Sequence, residues 1–186
     1  MSELQLIQRP LPYCERLVLR VPEQIELVVL HCTELPDLAM ARDYGEQLHY
    51  ATSQTGNSGH FYIDRDGRCE QWVPLARIAH HVRGHNATSI GIELVNLGRY
   101  PRWYHSEHQS MTEAYTDAQL RSLIALLRHL QAQLPALRRI AGHEDLDQAT
   151  VAAEDQPGIS VRRKLDPGPM FPWELILQQC ELLRYA

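Results

Sequence analysis

The chain has almost no lysine: of its 18 basic residues 17 are arginine, and Lys164 stands alone in "RRKLDPGPMFPW". Ammonium is a compact point charge and guanidinium a planar, permanently charged fork, so one lysine in an arginine-rich chain marks a place where the difference could matter. Cysteine is sparse as well. Cys14, Cys32, Cys69 and Cys180 are scattered with no C-x-x-C pair, which argues against a redox dithiol or thiolate zinc ribbon and suits free thiols in a reducing compartment. No apolar run approaches the ~20 residues that a membrane helix needs. The start, "MSELQLIQRPLPYCERL", lacks the basic region and apolar core of a secretion signal, so a cytoplasmic location is expected. There is no basic block, and the net charge of −5 points away from nucleic acid as a partner. Internal repeats, low-complexity segments and linkers are also missing.

What is present fits one globular domain over residues 1–186, with 44% hydrophobic and 22% charged residues and enough chain to bury a core. "IELVVLHC" (Ile25 to Cys32) predicts an interior strand with His31 at its end. "TELPDLAMARDYGEQLHYATS" carries Leu38, Ala41, Tyr44, Leu48 and Ala51 at helical spacing. "HFYIDRDGRCEQWVP" reads as two strands joined by an Asp-Gly turn. In "SIGIELVNLG" the apolar Ile90, Ile92 and Leu94 alternate with Gly91, Glu93 and Val95, so Glu93 lies on the sheet face opposite the aliphatic one. "TDAQLRSLIALLRHLQAQLP" predicts a helix capped by Thr116 with Gln119 three positions on, striped by leucines and stopped by Pro135. "LRRIAGH" predicts a strand ending at His143, Glu144 to Ser160 a long loop, and "PWELILQQCELLRY" a closing helix. Strands alternating with helices predict an α/β fold on one mixed sheet.

Two of the predicted strands end in histidine, His31 and His143, where ligand sites form in α/β sheets. Asp166 follows in an Asp-Pro-Gly turn. Two imidazoles and one carboxylate are a common catalytic zinc set that leaves a position open for water. A strand-end histidine is more often a plain hydrogen-bonding residue, and ten histidines make such a trio easy to find. On pattern alone both readings stand. Arg83, Arg99 and Arg162 are candidates to meet ligand carboxylates through bidentate contacts. Tyr62, Trp103 and Tyr104 could stack on a ligand or serve as packing, and His49, His105, His108 and His129 read as surface or packing residues.

Six stretches, "VVLHCTE", "GHFYIDRDGRCEQWVP", "AHHV", "NATSIGIELVN", "AGHEDL" and "RKLDPGPMFPW", stand in the order seen in the N-acetylmuramoyl-L-alanine amidase type 2 family. The chain resembles that family over about residues 25–175, and is most similar to its cytoplasmic branch, whose members end in K-x-D-P-G-P-x-F-P-W. The resemblance implies a central mixed sheet flanked by helices, as in peptidoglycan-recognition proteins. It implies one bound zinc ion held by His31, His143 and Asp166, with Glu93 and Lys164 as catalytic residues. The implied reaction is hydrolysis of the amide between N-acetylmuramic acid, in its 1,6-anhydro form, and L-alanine of small muropeptides during cell-wall recycling. His60 and His81 match family positions near the substrate groove.

Two departures bear on this. Phage members carry a catalytic tyrosine before the "H-F" strand where this chain has Gly59, which leaves the proton transfer to Glu93. Residues 147–160 look inserted between His143 and Asp166, and Asp145, two residues after His143, becomes a competing ligand. Two other readings follow from the same resemblance: a muropeptide-binding module without catalysis, and a lytic amidase acting on polymeric peptidoglycan.

Overall fold

The computed structural model describes residues 4–185. Among these residues the elements run β1 (Leu6–Gln8), β2 (Leu27–Cys32), α1 (Leu38–Glu46), β3 (Phe61–Ile63), β4 (Cys69–Gln71), β5 (Ser89–Leu94), α2 (Asp117–Gln133), β6 (Arg139–Gly142), α3 (His143–Leu146), β7 (Thr150–Ala152), β8 (Ser160–Arg162), α4 (Trp173–Gln179) and β9 (Leu183–Arg184). Seven strands make one sheet in the order β1-β4-β3-β5-β2-β6-β9. All neighbours are parallel except the β3–β4 hairpin, so the sheet is mixed and the fold α/β. No helix among the described residues is long and apolar enough to cross a membrane.

The side chains of β2 and β5 divide the molecule. Every residue of β2 is buried, as expected of a parallel strand covered on both faces. Val28, Leu30 and Cys32 of β2 and Ile90, Ile92 and Leu94 of β5 pack with Leu123, Leu126, Leu127 and Leu130 of α2 in the main core. The alternate residues, His31 and Glu93 among them, face the other way. That second face is covered in part by α1, whose Leu38 and Ala41 pack with Tyr62, Trp72 and Val95. The α2 capping box forms as its sequence predicts: Gln119 N–H donates to Thr116 Oγ1 at 3.1 Å and Thr116 N–H to Gln119 Oε1 at 3.0 Å. Removal of such a cap costs about 1 kcal/mol.

Three expectations are corrected. The first predicted helix ends at Glu46 and does not reach Ala51, because Tyr44 and Leu48 of its apolar stripe are exposed and no burial drives the helix on. The segment Glu144–Ser160 is not a plain loop. His143 opens the short α3, and β7 pairs with β8 in a separate antiparallel hairpin of three-residue strands. Strands that short leave too little alternation in the sequence to be seen. The closing helix stops at Gln179, and Leu183 and Arg184 return as a sheet edge alongside β6.

Candidate metal centre and active site

β2 and β5 run parallel in register, with His31 opposite Glu93, and β3 places Tyr62 beside Glu93 on the other side. β6 delivers His143 at its end, and the chain returns after β8 to bring Lys164 and Asp166 over the same sheet edge. Asp166 Oδ2 lies 2.9 Å from His31 Nδ1 and 3.1 Å from His143 Nδ1. All three residues are buried, and their ligand atoms lie within 4.8 Å of one another. Asp166 Oδ1 is buried and has no hydrogen-bond partner among the described residues. Two ring nitrogens converging on a carboxylate with a spare oxygen fit a divalent cation, and this set could hold one.

The electrostatics agree with that use. Burial pushes the His31 imidazole down to about 4, which favours the neutral ring that a metal ligand requires. Burial alone would raise the Asp166 carboxyl, but the His143 and His31 imidazoles hold it well below the usual carboxylate range. Glu93 is the opposite case. Its burial, reinforced by the Asp166 charge and eased by Lys164, drives its carboxyl well above the ordinary value. Oε1 of Glu93 lies 4.0 Å from His31 Nδ1, beside the three converging ligands. The residue that follows the pattern of a proton carrier is therefore the one whose environment makes it hold a proton readily.

These groups lie in an open groove of about 700 Å³. Of the sequence candidates, His31, His81, Arg83, Glu93, His143, Lys164 and Asp166 line it, as do Tyr62, Trp103 and Tyr104. Three candidates, His60, Arg99 and Arg162, do not line the groove. His60 is fully buried behind the groove, with Gly91 N–H donating to its Nδ1 at 3.1 Å and the Arg20 guanidinium 2.8 Å from Nε2. Arg99 turns inward onto Glu34, at 2.7 Å from Nε to Oε1, and spends Nη1 and Nη2 on the Arg162 and Arg163 carbonyls. Arg162 donates to the Glu144 carbonyl at 2.8 Å, bracing the base of the β7–β8 hairpin. Each arginine donates to part-buried backbone oxygens. Asp145 accepts from Gly142 N–H at 2.8 Å and faces Arg184 at 3.3 Å, so it caps α3 and stays out of the cluster.

The sequence reading passed over Arg163, which lines the groove and pairs with Asp147, and over Glu34 and His80, which line it too; His49, read as a surface or packing residue, is exposed at the groove. Arg163 sits directly between Arg162 and Lys164, so only its direction off the hairpin distinguishes it, and no sequence signal carries that. The β7–β8 hairpin also has a place. Glu154 N–H donates to the Tyr104 carbonyl at 3.0 Å, and Asp155 accepts from Ser106 N–H and Oγ at 2.7 Å each. It thus buttresses the loop that carries Trp103 and Tyr104 into the groove.

The family model described as N-acetylmuramoyl-L-alanine amidase matches residues 21–169. The chain belongs to this family. The matched stretch contains the whole cluster, Glu93 and Lys164. Among curated amidases, the chain is 30% identical over 171 residues to N-acetylmuramoyl-L-alanine amidase AmiD of Escherichia coli, covering 84% of this chain and 53% of AmiD. It is 29% identical over 178 residues to 1,6-anhydro-N-acetylmuramyl-L-alanine amidase AmpD of Haemophilus influenzae, covering 84% of this chain and 83% of that relative. The chain thus spans about half the length of AmiD and most of that AmpD. The solved structure of the amidase LysC from Clostridium intestinale superposes with a TM-score of 0.68 at 22% identity, covering 96% of this chain and 99% of LysC, which shows the shared amidase fold.

Proposed function

We propose that this amidase-family protein is a zinc-dependent hydrolase of the amide between 1,6-anhydro-N-acetylmuramic acid and L-alanine in muropeptides, acting in cell-wall recycling. The observation that carries the proposal is the convergence of His31, His143 and Asp166 beside a partly buried Glu93, in an open groove of about 700 Å³. The name of the Haemophilus influenzae relative supports the 1,6-anhydro sugar as substrate. Four free thiols, three of them buried, suit a reducing compartment, and we place the reaction in the cytoplasm.

His31, His143 and Asp166 would hold the zinc ion. Bound there, zinc supplies Lewis acidity that polarises the scissile carbonyl and lowers the pKa of a coordinated water. Glu93 does the proton work: its raised affinity for a proton lets it take one from the attacking water and hand it to the departing alanine amine. Lys164 lines the same groove and provides the cation for the oxygen that becomes negative as the carbonyl turns tetrahedral. Arg83 and Arg163 on the groove wall are the arginines we assign to stem-peptide carboxylates, replacing Arg99 and Arg162 in that role.

The test is incubation with a defined anhydro-muropeptide and, separately, with intact sacculi, followed by mass spectrometry. The expected product is the free stem peptide with a new alanine amine, together with the sugar carboxylic acid. A strong chelator should abolish its release and zinc restore it. Cleavage of sacculi with muropeptides left intact would overturn the recycling reading, and tight binding without cleavage would mark a binding module.

A further inference from the structure

Behind His31, on the side away from Asp166, lies a chain of hydrogen bonds that the chemistry above does not use. His31 Nε2 is 3.0 Å from His81 Nδ1, His81 Nε2 is 3.1 Å from Ser89 Oγ, and Ser89 Oγ is 2.7 Å from the His85 carbonyl. The direction of every bond follows from its far end. A carbonyl oxygen only accepts, so the single Ser89 hydroxyl proton goes to His85. Ser89 Oγ then accepts from His81, which puts the His81 proton on Nε2 and leaves Nδ1 a lone pair. A second lone pair on His31 Nε2 would face it at 3.0 Å, so His31 carries its proton there and donates it. His31 Nδ1, the atom turned toward Asp166, is then left with a lone pair for a cation held between it and Asp166 Oδ2, since only a cation there lets a bare nitrogen sit 2.9 Å from a carboxylate oxygen.

We propose that Ser89 and His81 are positioning residues that fix the tautomer and ring orientation of His31, so that Nδ1 is presented as a ready metal ligand. The inference rests on the metal reading of His31, His143 and Asp166. A histidine ligand commonly donates its second ring N–H to a carboxylate or carbonyl. Here the acceptor is another imidazole, which works only while that imidazole is neutral and correctly protonated, and Ser89 sets this through the His85 carbonyl.

The "SIGIE" strand is shaped around the same ring. Ser89, Gly91 and Glu93 share one face of β5. Ser89 holds the His81 ring at one end, and Gly91 leaves space for it: a Cβ at Gly91 would lie 2.6 Å from His81 Cγ. Glu93 then projects into the groove beyond the ring. Three alternate positions on one strand thus serve the ligand's support, its clearance and the proton carrier.

Two measurements on the full chain test this. The first is a two-bond 1H–15N correlation spectrum of wild-type protein labelled at its histidine nitrogens, recorded with and without zinc. His81 should show a protonated Nε2 and a bare Nδ1 in both states. A proton on His81 Nδ1, alone or in an imidazolium, would overturn the proposal. The second is zinc affinity, measured by competition with a chromophoric chelator, for wild type and Ser89→Ala. Loss of the Ser89 acceptor should weaken zinc binding by roughly 10- to 100-fold, the usual cost of removing a ligand's support. An unchanged affinity would overturn it. If wild type binds no zinc, the metal reading itself fails, while the His81 tautomer still decides the hydrogen-bond chain by itself.

Discussion

A single methyl group at Gly59 should slow the proposed hydrolysis without changing zinc binding. A Cβ built there lies 2.9 Å from Glu93 Cγ and 3.1 Å from the Gly91 carbonyl oxygen. The backbone cannot open to relieve the contact, because His60 N–H donates to that same Gly91 oxygen at 2.8 Å. The Glu93 side chain is the part free to give. Carbon pairs rest at about 3.5–4.0 Å, so Glu93 Cγ must move by roughly 0.6–1 Å. A displacement of about 1 Å in a reacting group can cost 10²-fold in rate. Gly59→Ala should therefore lower kcat by roughly 10- to 100-fold, or about 1.4–2.7 kcal/mol of barrier. Stability should fall by about 1–3 kcal/mol, as for an overpacked site. The assay is turnover of a defined anhydro-muropeptide at saturating zinc, with metal content and thermal unfolding measured on the same preparation. Gly158→Ala is the control, since a Cβ there meets nothing within 4 Å, and it should behave as wild type. A Gly59→Ala enzyme that keeps wild-type kcat would refute the reasoning, because the position of Glu93 would then not govern the rate.

Glu93→Gln should retain zinc and bind muropeptide but lose kcat by roughly 10²- to 10⁴-fold, the range for a positioned general base; unchanged turnover would put the base elsewhere. Lys164→Ala should lose about 2.7–4 kcal/mol of transition-state stabilisation, the cost of one oxyanion donor. Lys164→Arg should recover only part of this, since a planar fork cannot place its charge where the compact ammonium does, and full recovery would reduce the lone lysine to ordinary surface charge. Asp166→Ala should abolish zinc binding in a direct metal analysis, whereas Asp145→Ala should keep the metal and lose only the α3 cap and its Arg184 contact.

Much of this architecture is written locally. The fully apolar β2 run, the alternation in "SIGIEL" and the Thr116–Gln119 cap are short-range patterns, and the elements they specify form where expected. The alternation alone puts Glu93 on the face opposite the core, and two strand-end histidines with an Asp-Pro-Gly aspartate name the atoms that later converge. Local pattern could not decide what depends on neighbours distant in sequence. β9 exists because β6 offers it an unpaired edge, and the three-residue strands of the β7–β8 hairpin hold because that hairpin docks on the Tyr104–Ser106 loop. Arginine composition is blind to direction: Arg99 and Arg162 look like anion binders in sequence, yet both turn inward onto carbonyls, and Arg163 between Arg162 and Lys164 takes the groove. The proton positions on His31 and His81 lie furthest from sequence. They are set by a carbonyl at His85 and a hydroxyl at Ser89 that the fold brings within hydrogen-bonding reach of the His81 ring, because a hydrogen bond tolerates only tenths of an ångström and no linear spacing encodes that.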